Sequence, residues 1–187
     1  MRRAYGRSTA IDFHKRARRR YHSILHRRDG VLIQLEGGSY NRVGADVPRV
    51  PHDISHLIVE DAFGLQSGLW GTLAGGGLVQ NATFAGGRKP PHAERKAWEI
   101  TDRAGESLRQ AEVIVRAVAD AAAEGRTRDI AWLRRRVGER WWSEDVTAEA
   151  LERVCEDLRE AAQRWDVLAE GSSLRLTWPR DGDRLRA

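Results

Sequence analysis

Residues 21–37, YHSILHRRDGVLIQLEG, constrain the architecture more than any other stretch. Two aliphatic runs, 22–26 and 31–35, are joined by Arg28-Asp29-Gly30. Asp-Gly accepts the positive φ that a tight turn between strands needs, so the stretch reads as a β-hairpin. From Pro91 the apolar period changes to that of a helix. Trp98, Leu108, Val115 and Val118 mark one long helix to about Ala123, with Gly105 its weak point. Gly125 ends it and Thr127 caps the next, whose stripe is Ile130, Leu133, Val137 and Trp141. Leu151, Val154, Cys155, Leu158, Ala162 and Trp165 form a third stripe, stopped by Gly171. Residues 173–179, SLRLTWP, alternate at period two and read as a closing strand able to join the hairpin. The expected fold is α+β: a small antiparallel sheet of hairpin plus C-terminal strand, a central histidine-bearing helix, and a C-terminal layer of three helices.

The expected organisation is a basic, disordered arm over residues 1–20 and one α+β domain over 21–187. Within that domain, 21–90 holds the hairpin, the histidine helix and a glycine-rich loop, and 91–187 the helical part and closing strand. No apolar run approaches the roughly 20 residues of a membrane span. The N-terminus is basic without the apolar segment of a signal peptide, and the single cysteine, Cys155, rules out an internal disulfide. A reducing cytoplasm and no membrane partner are therefore expected. Arginine far outnumbers lysine, the codon bias of a GC-rich, bacterial genome.

The net charge of +5 is local. Residues 1–28 carry ten Arg or Lys against Asp12, a balance of +9 that leaves the remainder at −4. Lys15, Arg16, Arg18, Arg19 and Arg20 belong to that block, and such a run neutralises phosphates without reading bases. Read as solvated chain, the same block has no partner. The arginines of LRRRVGERWW, 133–142, read as a solvated helix face.

Chemistry is suggested at one place, VPHDISHLIVEDAFGL, 50–65. Pro51 suits a helix start and Gly64 a helix end. On that helix His52 and His56 share a side with Val59 and Phe63, Ile54 and Ile58 lie opposite, and Asp53, Glu60 and Asp61 fall between. Histidines at i and i+4 stand above each other and can grip one ion. Without an ion they need hydrogen bonds or a carboxylate, since an unpaired buried polar group costs roughly 1–3 kcal/mol. The alternative is that His52 and Asp53 satisfy the helix N-terminus and His56 is a hydrogen-bonded core residue.

HDISH resembles the H-E-x-x-H motif of the zincins, in which two histidines hold zinc, a third ligand comes from elsewhere and the glutamate polarises the bound water. The resemblance implies His52 and His56 as ligands of zinc or another divalent metal. It implies Asp53 as the base or a partner behind the ligands. Aspartate is one methylene shorter than glutamate, which puts peptidase chemistry in doubt and leaves metal binding intact. The H-D-x-x-H form also resembles the metal motif of a family of ubiquinone-biosynthesis proteins with a helical fold and a further glutamate. The matching position, after eleven intervening residues, is Gly68. More broadly, residues 51–71 resemble a segment of uncharacterised bacterial proteins.

The third ligand stays open. Glu60, at i+8, lies about 12 Å along a straight helix from His52. His92, Glu94 and Glu36 come from other elements. The glycine-rich stretch 68–91 has neither a P-loop nor a G-x-G-x-x-G frame, so it reads as lid or packing, with Trp70 a core anchor. The leading reading is a zincin-like metal-binding protein, a metal-dependent hydrolase acting on a small molecule or peptide. Its rivals are a non-enzymatic nucleic-acid-binding or regulatory protein using the basic arm, a helix-turn-helix over 127–165, and helices that mediate association.

Overall fold

The computed structural model describes residues 8–179. In chain order the elements are β1 (Thr9–Lys15), β2 (Tyr21–His26), β3 (Leu32–Gly37), β4 (Tyr40–Asn41), β5 (Val50–Pro51), α1 (His52–Ala62) and α2 (Leu69–Ala74). They continue with β6 (Ala82–Gly86), α3 (Ala93–Ala123), α4 (Ile130–Val137), α5 (Ala148–Val167) and β7 (Ser173–Trp178), and a 3-10 turn over Gly138–Arg140 follows α4. The fold is α+β. Five strands form an antiparallel sheet in the order β6-β3-β2-β1-β7, and β4 pairs with β5 alone.

The hairpin forms where the Asp-Gly turn places it. Gly30 takes φ 81, Asp29 Oδ1 accepts from the Val31 N–H at 3.2 Å, and β2 and β3 run from Tyr21 opposite Gly37 to His26 opposite Leu32. Alternation then sorts the side chains. Ile11, Phe13, Tyr21, Leu25, Ile33 and Leu35 face the helices and are buried, while Asp12, His14, His22, His26 and Gln34 lie on the other face. Phe13 meets Trp70 edge-on at 5.5 Å and Tyr21 meets Trp165 at 5.9 Å, tying α2 and α5 to the sheet. Behind them α1 packs on α3 and α5, and sheet and helices share one hydrophobic core. Trp70 is the anchor its flanking glycines suggested: it is fully buried, and its indole N–H donates to the Asp53 carbonyl at 2.8 Å. No helix among the described residues is long and apolar enough to cross a membrane.

Several expectations are corrected. Residues 9–15, assigned to the disordered arm 1–20, are strand β1, the neighbour of the hairpin. The alternation of Thr9, Ile11 and Phe13 was masked by the basic run that follows it; residues 1–7 lie outside the described residues. The closing strand pairs with β1 rather than with the hairpin directly, because β1 already occupies that edge. The glycine-rich stretch is not a plain loop but carries α2 and the edge strand β6. Asp129, not Thr127, caps α4, accepting from the Trp132 N–H at 2.9 Å. Trp98 is 44 % exposed; the buried stripe of α3 is carried by Ala111, Ile114, Val115, Val118 and Ala122. Arg134 and Arg136 do form a solvated face, paired with Glu144 and Asp120.

On the open sheet face Asp12 receives a forked pair from Arg175, Nε to Oδ1 at 2.6 Å and Nη2 to Oδ2 at 2.7 Å, and a bond from His26 at 2.8 Å. Arg175, against the opposing effect of burial and with help from His26, holds the Asp12 carboxyl below its ordinary value. A lowered folded-state value stabilises above the unfolded pKa and is lost as pH falls through the folded one. Asp12→Asn is expected to cost about 1 kcal/mol at pH 7, a modest effect because Arg175 is exposed. Urea unfolding of both proteins should show that gap close below about pH 4, where the unfolded carboxyl and then the folded one take up protons.

Candidate metal centre

Pro51 positions the first histidine. It ends β5 opposite Tyr40 and serves as the N-cap of α1, so that His52, the first helical residue, donates its backbone N–H to the Ser39 carbonyl at 3.0 Å. No side chain caps this helix, so the pair is not accounted for as a capping device. One turn later His56 lies above His52, with the ring centroids 4.7 Å apart. The long helix α3 crosses this face and contributes Glu112.

Three ligand-type atoms converge there. Glu112 Oε2 is 3.2 Å from His52 Nε2 and 3.0 Å from His56 Nε2, and the two Nε2 atoms are 3.1 Å apart. Among the described residues these three side chains form the group able to hold a metal ion. Atoms bound at about 2.0–2.2 Å to one tetrahedral ion stand roughly 3.3–3.6 Å from each other. The triangle, with edges of 3.2, 3.1 and 3.0 Å, has to open by only a few tenths of an ångström to take one. Hydrogen bonding alone fits it less well. Each Nε2 supplies at most one proton and Glu112 as carboxylate none, leaving two protons for three edges.

The far nitrogens are held by other groups. His56 Nδ1 lies 2.8 Å from Glu60 Oε1 and His52 Nδ1 lies 3.4 Å from Asn41 Oδ1. Nδ1–H donating to those oxygens would leave both Nε2 lone pairs free for an ion that displaces the Nε2 protons now shared with Glu112, the tautomer a ligand histidine requires. Glu60 is fully buried and also accepts from the backbone N–H groups of Leu69 at 2.7 Å and Trp70 at 3.1 Å. Gly68 makes room for it: a Cβ there would stand 2.3 Å from Glu60 Cδ.

Burial works against charge on His56, but hydrogen bonds to Glu112 and Glu60 outweigh it and raise its pKa to about 10. The same bonds from His52 and His56 hold the Glu112 carboxyl far below its ordinary range. Burial pushes Asp53 up to about 6, against the pull of the two histidines. Exposure is graded across the site: the side chains of His56, His52 and Glu112 are 4, 22 and 54 % exposed, so the group opens toward solvent on the Glu112 side.

Of the residues singled out in the sequence, His52 and His56 meet, and the third member is Glu112 rather than any of the four carboxylate or histidine candidates. Glu60 stands behind His56 instead of beside the open position. Glu36 lies on the outer sheet face, where it pairs with Arg16 at 3.2 Å. His92 and Glu94 sit at the start of α3, and Glu94 is about 27 Å along the helix from Glu112. Asp53 is buried outside the converging group, with its backbone N–H 3.4 Å from the Tyr21 hydroxyl and Oδ2 without a hydrogen-bond partner. A signal for Glu112 was present: it falls at i+4 from Leu108 and i−3 from Val115, a charge inside an apolar stripe. Cys155 is buried, and burial raises its thiol to about 12, as an inert core cysteine should be. Lys15 is unavailable to an outside partner, because its ammonium donates to the carbonyls of Trp165, Asp166 and Leu168 at 2.8–3.0 Å and caps the end of α5.

Glu60→Gln and Gly68→Ala disturb the support behind His56 without replacing a member of the triangle. Each is expected to weaken zinc affinity about 10- to 100-fold, measured by competition with a chelating dye, while the far-ultraviolet circular dichroism stays that of the wild type. Comparison with protein-family models, curated proteins and solved structures finds no match. The resemblances of the H-D-x-x-H segment therefore remain at the level of the motif.

Proposed function

We propose that His52, His56 and Glu112 hold one divalent metal ion, zinc by preference, and that the chain is a metal-dependent hydrolase. The observation that carries this is the convergence of two imidazole nitrogens and one carboxylate oxygen, from two helices, on a point open to solvent. Two histidines and a glutamate are a donor set of catalytic zinc sites, which keep a position open for water or substrate. An ion held by these three residues would supply Lewis-acid chemistry, activating water and polarising a carbonyl or phosphoryl oxygen.

The chain's own residues supply the rest. Glu60 fixes the His56 ring and adds negative charge behind it, and Asn41 turns the His52 ring. Asp53 serves as the proton acceptor or as a negative charge behind the histidines; its buried, unpartnered oxygen suits a group kept for chemistry rather than for packing. Substrate approaches from the Glu112 side, the exposed corner of the triangle.

Protein purified without a histidine tag should carry close to one zinc per chain by elemental analysis. Glu112→Ala, the His52→Ala/His56→Ala double variant and exhaustive EDTA treatment should each remove it. Ester, phosphoester and peptide substrates should be turned over by the wild type and not by the metal-free forms. A chain that takes up no zinc, iron or manganese from a loading buffer refutes the reading; a loaded chain without hydrolysis leaves a metal-binding protein and removes the hydrolase.

A further inference from the structure

The turn between β1 and β2 is built against local preference. Residues 17–20 are closed by the Arg20 N–H donating to the Ala17 carbonyl at 3.3 Å, and both central residues, Arg18 and Arg19, take left-handed φ, 57° and 58°. Two positive φ values are the requirement of a type I′ turn, which Asn-Gly meets at little cost. Arginine at both positions is strained, and strain of this kind persists where the side chains serve another purpose. Arg16, Arg18, Arg19 and Arg20 are all exposed.

What surrounds them points to phosphate. Arg18, Arg19, Arg20 and Arg49 form no ion pair among the described residues; Arg19 instead lies over the Tyr40 ring at 5.3 Å. Arg16, Arg19 and Arg49 line one cleft of about 490 Å3, together with Tyr40 and with Asp166 and Glu170. Guanidinium forks match phosphate oxygens, and a two-stranded turn is narrow enough for a nucleic-acid groove. The one non-basic residue between Lys15 and Tyr21 is Ala17, so the turn offers nothing to bury in a lipid surface. We propose that the Arg16–Arg20 turn, with Arg49 beside it, binds the phosphodiester backbone of nucleic acid without reading base sequence. This site shares no residue with the metal centre and stands or falls apart from it.

The test exploits the strain. Arg18→Asn/Arg19→Gly removes two cations while installing the residues a type I′ turn prefers, so the variant should melt at a higher temperature than the wild type. Binding of a fluorescent random-sequence duplex and single strand is measured by anisotropy between 50 and 200 mM salt, with poly-glutamate and phosphatidylglycerol vesicles as parallel probes. The wild type should bind nucleic acid with a steep salt dependence. The variant should bind about tenfold or more weakly at low salt, with a duplex log–log slope shallower by about 1.8 for two lost contacts. Adding Arg49→Ala should weaken it further. No binding by the wild type at 50 mM salt, equal binding by the better-folded variant, or equal capture of poly-glutamate or vesicles would each overturn the proposal.

Discussion

The buried carboxylate of Glu60 is the interaction on which the centre depends. It has no exposed surface, yet each of its bonds is to a group that matters: the His56 imidazole on its own helix, and the Leu69 and Trp70 N–H groups that open α2. A charge placed so deep is stable only when its oxygens are satisfied. Gly68 leaves the volume that this requires, and Trp70, held by Phe13 and by the Asp53 carbonyl, keeps the α2 backbone in place. Ring orientation at His56 is thus tied through Glu60 and Trp70 to the sheet.

The sheet serves the centre by what it places at the ends of its strands. β3 leads into the short β4–β5 ladder, and the ladder ends at Pro51, which both fixes the start of α1 and brings Asn41 beside His52. Across the core, the 31-residue α3 carries Glu112 to the same point. Two rigid helices therefore supply the three converging atoms, and rigid elements hold a site more closely than loops can. The exposure of Glu112 leaves one side of the triangle accessible.

Much of this was legible from residue patterns. The Asp-Gly turn gave the hairpin, Pro51 and Gly64 bracketed α1, and the i, i+4 histidines marked the centre. Less was legible where two signals overlapped. β1 alternates cleanly, but its last residue begins the basic run, and composition concealed period. β6 was hidden by glycines on both sides, and its place as an edge strand is decided by pairing with β3 rather than by propensity. Thr127 and Asp129 are both good caps, but α4 begins at Ile130, so Asp129 is the residue placed to cap it. Glu112 lies 56 residues beyond His56; its place inside an apolar stripe marked it as unusual, but its meeting with the histidines is fixed by the crossing of two helices, which that local pattern does not encode. Lys15 shows the reverse case: it reads as part of the basic run, while in the structure its ammonium donates to the carbonyls at the end of α5.

The most direct test of the central claim is anomalous diffraction at the zinc edge from crystals of the zinc-loaded protein. A single strong peak about 2.0–2.2 Å from His52 Nε2, His56 Nε2 and a Glu112 carboxylate oxygen, with Glu60 still on His56 Nδ1, is the predicted result. A well-ordered triangle with no peak inside it, or a peak on other side chains, would contradict the account.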